Sequence, residues 1–131
     1  MCIRDSHMPK PTHPVQTITA DARRFVNAST QSFDVIVADV YHPARSGAAT
    51  LYTVEHFQKI KDRLNDGGVF CQWLALFQMD TQTLRTIVAA YQTVYPDAKA
   101  VLVSNSLDSP AIGLMARKNA CLLYTSDAAD E

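Results

Sequence analysis

Residues 33–40 read FDVIVADV, and this stretch decides the fold class. It is rich in β-branched residues and is interrupted only by Asp34 and Asp39. A continuous apolar run of this kind predicts a strand buried on both faces, as in a parallel sheet. Residues 69–76, VFCQWLAL, form a second run of the same type. Between the two runs, Thr53 has the character of a helix N-cap, with Glu55 in the first turn. Val54, Phe57, Ile60 and Leu64 recur at helical spacing, and Gly67-Gly68 is expected to end that helix. Upstream, residues 15–19 alternate as a short strand, and residues 21–28 suit a short helix with Phe25 and Val26 inward. Downstream, Asp80 caps a helix whose apolar face is Leu84, Ile87, Val88, Tyr91 and Val94, closed by Pro96. Residues 100–104 and 112–116 then read as two last strands, with too few residues between them for a helical crossover. The expected order is β-α-β-α-β-α-β-β. That order predicts an α/β domain, mostly parallel, with an antiparallel last strand pair.

Composition supports one globular domain: 131 residues, 47% hydrophobic and 19% charged. The net charge of −1, with signs mixed along the chain, gives no electrostatic footprint for nucleic acid. No apolar run is long enough to span a bilayer, and the start has no secretory pattern. Cys2, Cys71 and Cys121 are scattered and odd in number, which suits neither a disulfide framework nor a metal site. Cys71, in an apolar strand, is read as an inert small hydrophobe.

The two ends have a different character. MCIRDS (residues 1–6) can be encoded as ATG TGT ATA AGA GAC AG. The reverse complement, read from its second base, encodes Cys-Leu-Leu-Tyr-Thr and then a codon beginning with T, the order of residues 121–126. This inverted repeat resembles the transposon-end adapter used in preparing sequencing libraries. Residues 1–6 and 121–131 are therefore expected to be adapter-derived, leaving 7–120 as part of a longer native domain.

Asp21 and Asp39 each follow an expected strand, at the end of a sheet where ligands bind in α/β folds. Asp21 suits a helix N-cap as well as a site. Asp39 ends an otherwise apolar strand, where a carboxylate needs a partner. His42 suits either a pH-sensitive ligand or an exposed loop position beside Pro43. His56 is assigned to the polar side of its helix, Trp73 to core or pocket wall, and Arg23-Arg24 to too small a patch for nucleic acid. No G-x-S-x-G, H-E-x-x-H or C-x-x-C occurs, so hydrolase, zincin and redox readings lack support.

In register, DARRF (residues 21–25), FDVIVAD (33–39), Pro43, LYT (51–53), GGVFCQW (67–73) and IGLM (112–115) resemble the spermidine synthase family, most of all its bacterial spermidine synthase-like members. The resemblance implies the Rossmann-like fold of class I methyltransferases, of which this chain is the C-terminal part. It implies transfer of an aminopropyl group from decarboxylated S-adenosylmethionine to an amine acceptor, with no tightly bound cofactor. By the same resemblance, Asp39 is the catalytic base. Asp21, Ala22 and Leu51 hold the nucleoside, and Tyr41, His42 and Gln72 lie by the amine. The gate loop carries His42 where the family usually has Asp, and the aromatic residue before the last strand is replaced by Leu107 and Asp108. Both departures count against a simple diamine acceptor. The segment has no G-x-G loop of its own.

Two further readings stand beside this one: an S-adenosylmethionine-dependent methyltransferase, and a non-catalytic nucleoside-binding module. The expected setting is cytoplasmic, alone or as the soluble domain of a membrane-fused parent. The expected partners are a small-molecule amine and, in the complete protein, a second copy. Nucleic acid, metal and direct membrane contact are not expected.

Overall fold

The structure is a computed structural model that describes residues 15–39, 42–45, 47–103 and 109–119. The elements run α1 (Ala22–Ala28), β1 (Phe33–Ala38), a 3₁₀ turn (Ala48–Tyr52), α2 (Val54–Asp62), β2 (Leu64–Ala75), α3 (Thr81–Val94), β3 (Lys99–Val103) and β4 (Ala111–Arg117). The ends at 1–6 and 121–131 lie outside the described residues.

Each helix starts where the sequence offers an oxygen for the first unpaired N–H groups. Asp21 Oδ1 accepts from Arg24 N at 2.8 Å, Thr53 Oγ1 from His56 N at 3.3 Å, and Asp80 Oδ1 from Thr83 N at 2.7 Å. The bonds from the Thr83 N–H and hydroxyl hold the Asp80 carboxyl below its ordinary pKa.

The sheet order is β1-β2-β4-β3. β1 and β2 are parallel, with Ile36 opposite Phe70 and Val37 opposite Cys71. β4 runs antiparallel to both neighbours, placing Gln72 opposite Leu114 and Ala100 opposite Leu114 on the other side. The parallel start and antiparallel end follow the expected topology.

Four expectations are corrected. Residues 15–19 form no strand, and Val15 and Ile18 are exposed. Alternation alone does not make a strand; a ladder partner is required, and none of the described residues supplies one. β1 is buried on one face only. All three helices pack on the face of Ile36 and Ala38, whereas Val35 and Val37 on the other are 60% and 58% exposed. The helix α2 ends at Asp62, not at the glycines, and Gly67-Gly68 lie inside β2. A Cβ on Gly68 would meet Asn65 O at 2.9 Å and Asp34 O at 3.1 Å, so the glycine permits a close backbone approach where the β1–β2 register shifts. Finally, His56 is buried, and its surroundings are described below.

The core joins α2, α3 and the sheet through Phe57, Ile60, Phe70, Leu74, Ile87, Tyr91, Val94 and Leu114. Full burial of side chains this large is worth about 1.5–3 kcal/mol each relative to exposure. Tyr91 is its centre: the ring meets Phe57 edge-on at 5.2 Å and stacks on Phe70 at 5.5 Å. The Tyr91 hydroxyl lies 3.0 Å from both Phe70 O and Leu114 O, on adjacent strands. One proton is thus shared between two carbonyls, and burial pushes the phenol far above its ordinary pKa. On the opposite face the Trp73 ring lies against Gly113, where a Cβ would come within 3.0 Å of the indole.

Candidate functional site

A cleft of about 530 Å³ opens beside the N-terminus of α1 and the loops that leave the carboxyl ends of β1 and β2. Asp21, Ala22, Arg23, His42, Arg45, Gly47, Ala48, Thr50, Leu51 and Gln78 line it. The structure therefore brings together Asp21, Ala22, His42 and Leu51, which are far apart in sequence. Asp21 is fixed by its capping bond to Arg24 N. The loop that delivers His42 and Arg45 is a tight turn: Arg45 N donates to His42 O at 3.0 Å, and Ala48 N to Arg45 O at 2.9 Å. Gly47 follows with φ of +83°, a conformation that a side chain would strain. The 3₁₀ turn then presents Leu51 outward to the cleft and Tyr52 inward to the core.

Asp39 follows β1 directly and is exposed, and it is not among the cleft-lining residues. Gln72 is 1% exposed and reaches the Asp39 backbone: its Nε2 lies 3.4 Å from Asp39 O and 3.1 Å from Trp73 O. The first distance is long for a hydrogen bond. Gln72 thus supports the end of β1 from below. Tyr41 lies outside the described residues, as do Leu107 and Asp108.

Arg23, Arg45 and Gln78 also line the cleft and were not singled out from the sequence. Arg23 lies on α1 and donates from Nη1 to Thr50 O at 3.1 Å, bridging α1 to the 3₁₀ turn. Arg45 and Gln78 come from loops. Only the loop position of Arg45, three residues after His42, was available as a hint.

Behind this cleft is an apolar cavity of about 320 Å³ that shares Ala22 and Leu51 with it. His56 and Gln72 are among its polar lining. His56 is 6% exposed, and its Nδ1 has no hydrogen-bond partner among the described residues. Burial, and next the Arg23 charge, hold the imidazole below its ordinary pKa, with Asp21 opposing. The polar-face assignment of His56 is therefore wrong. It precedes Ile60 by one helical turn and shares that residue's inward side, under α1. Cys71 is a buried free thiol raised above its ordinary pKa by burial, as an inert core cysteine should be. The described residues hold no cluster of three metal-ligating side chains.

Residues 2–119 match the model of the spermine/spermidine synthase domain. The chain belongs to that family. It is similar to the polyamine aminopropyltransferase of Aeropyrum pernix, 39% identical over 57 residues, covering 42% of this chain and 18% of the relative. It is also similar to the polyamine aminopropyltransferase of an Enterobacter species, 46% identical over 50 residues, covering 38% of this chain and 17% of the relative. The matched stretch is thus less than a fifth of either relative's length. Among solved structures, a methyltransferase from Pyrococcus furiosus aligns with a TM-score of 0.53 at 18% identity, over 69% of this chain and 43% of that one. The N-methyltransferase NodS of Bradyrhizobium japonicum, solved with S-adenosyl-L-homocysteine, aligns with a TM-score of 0.51 at 14% identity, over 70% of this chain and 49% of that one. These likenesses establish the Rossmann-like methyltransferase fold that the family shares.

No helix among the described residues is long and apolar enough to cross a membrane.

Proposed function

We propose that the complete polypeptide carrying this segment transfers an aminopropyl group from decarboxylated S-adenosylmethionine to an amine. The observation that carries the reading is the gathering of Asp21, Ala22 and Leu51 in one cleft of a chain whose family match spans 2–119. The residues suit a sulfonium nucleoside. Asp21 Oδ1 is held by Arg24 N, while Oδ2 takes no hydrogen bond among the described residues and is left to accept from an adenine amino group. The Ala22 N–H is beside it, and Leu51 offers an apolar surface to the ring. The nucleoside supplies a carbon activated by its sulfonium, an excellent leaving group, so acid catalysis contributes little.

What the chain must supply is a neutral, aimed amine. Amines with a pKa of about 10 arrive protonated at neutral pH. Asp39 accepts that proton, and the freed lone pair forms the new C–N bond as the C–S bond breaks towards sulfur. Gln72, with Nε2 3.4 Å from Asp39 O, lies against the backbone that carries this carboxylate. In this reading the 131-residue chain alone is inactive, because its match covers so little of each relative's length. We place it in the cytoplasm, where a free thiol such as Cys71 stays reduced.

The test is mass spectrometry of products formed by the complete polypeptide from isotopically labelled decarboxylated S-adenosylmethionine and a panel of amines. An acceptor gaining the labelled aminopropyl group supports the proposal. Methylated acceptors, or no labelled product with any amine, refute it.

A further inference from the structure

Resting on that reading, we propose that the cleft selects a carboxylate-bearing reaction partner, recognised by Arg45 with His42. The substrate class is an amine acceptor that also carries a carboxylate, in place of a diamine.

The chemistry of the wall points this way. A diamine at neutral pH carries two positive charges and only donors, so its site needs carboxylates and other acceptors. This cleft offers the reverse. Its charged lining is Arg23, Arg45 and Asp21, and one Asp21 oxygen is already committed to Arg24 N. His42 adds a donor, not an acceptor. Its Nδ1 accepts from Ala44 N at 3.2 Å, which places the proton of the neutral ring on Nε2. Gln78 contributes an amide.

The two arginines are not equivalent. Arg23 is anchored on Thr50 O, which commits one of its nitrogens within the fold. Among the described residues Arg45 has no carboxylate within ion-pair distance, the one ion pair there being Lys59 with Asp62. Its guanidinium, with five N–H donors in a planar fork, matches a carboxylate two bonds at a time. The backbone bonds from Arg45 N to His42 O and from Ala48 N to Arg45 O keep Arg45 and His42 on one short loop. The loop after strand β1 therefore presents two donors to the cleft.

The complete polypeptide is given decarboxylated S-adenosylmethionine with putrescine or with γ-aminobutyrate. The expected result is that γ-aminobutyrate is preferred over putrescine by roughly 10- to 100-fold in kcat/KM, the range for a hydrogen bond to a charged group. Arg45→Gln should abolish that preference ratio and Arg45→Lys should keep part of it. A preference for the carboxylate-free pair, or a ratio untouched by Arg45→Gln, overturns the inference while leaving the transfer reading intact. If no pair reacts, the transfer reading fails, and calorimetry with methylthioadenosine present decides the inference separately. Binding of γ-aminobutyrate that is lost in Arg45→Gln supports it, and Arg45-independent binding or none overturns it.

Discussion

Replacing His56 with Phe should stabilise the chain, and should do so more at pH 5.5 than at pH 7.5. Two terms act. The buried Nδ1 has no partner among the described residues, and a buried unsatisfied polar atom costs about 1–3 kcal/mol. Phe removes it, and the added ring atom has room in the adjoining cavity of about 320 Å³. A gain of about 1–2 kcal/mol at pH 7.5 is expected. The second term is protonic. Burial and Arg23 hold His56 below its ordinary value of 6.5, so the unfolded chain takes up the proton first as pH falls. Stability is full above pH 6.5 and declines below it until the folded imidazole itself protonates. With one proton at stake, the loss at pH 5.5 is bounded at about 1.4 kcal/mol. The Phe variant lacks this loss, so its advantage should widen by up to that amount. Urea unfolding of both chains at the two pH values, followed by far-UV circular dichroism, provides the measurement. Equal pH dependence in the two chains refutes the protonic argument. A variant less stable than the original by more than about 1 kcal/mol refutes the unsatisfied-nitrogen argument.

Asp39→Asn in the complete polypeptide keeps shape but removes the proton acceptor, so turnover should fall by roughly 10²–10⁴ with little change in nucleoside affinity; steady-state kinetics at the unmodified rate would reassign the base. His42→Asp places a carboxylate near the amine, a pairing worth on the order of 4 kcal/mol at 4 Å and an effective dielectric near 20 before solvent screening. Diamine use should therefore improve, as read by kcat/KM for putrescine, and a parent that already prefers putrescine contradicts the reasoning. Titration of the 131-residue chain with methylthioadenosine should show no micromolar binding; a tight, saturable isotherm would show the cleft complete as it stands. Tyr91→Phe removes the proton shared by Phe70 O and Leu114 O and should cost about 1 kcal/mol, read from the urea midpoint.

The elements legible in the sequence are those that local chemistry determines. Asp21, Thr53 and Asp80 announce their helices because a capping oxygen acts within three residues. FDVIVA and VFCQWLA announce strands because their apolar runs have few other uses. Pairing is a different matter, since residues 15–19 have the alternation of a strand but no ladder. His56 shows why a helical face is hard to assign at its margin. Val54 and His56 flank Phe57, and only the position of α1 decides which of them is covered. Val54 is 37% exposed and His56 only 6%. Asp21, Ala22, His42 and Leu51 were singled out through family motifs, and the structure places them along one cleft. Arg23 and Arg45 were not, because lining a cleft is a property of three-dimensional spacing that composition cannot carry.

The contact between Trp73 and Gly113 gives the fold a built-in optical reporter. Trp73 is the single tryptophan of the chain, so its emission has one source. The indole is on β2, and the surface it lies against belongs to β4, which must be paired in register for Gly113 to come beneath it. Docking of the C-terminal β3–β4 hairpin is therefore visible in intrinsic fluorescence without any label. Circular dichroism at helical wavelengths reports on α2 and α3 instead. If the two signals move together during unfolding, the hairpin and the helical layer melt as one unit. If the indole signal moves first, the hairpin undocks while the helices persist, a separation of subdomains that one residue is placed to reveal.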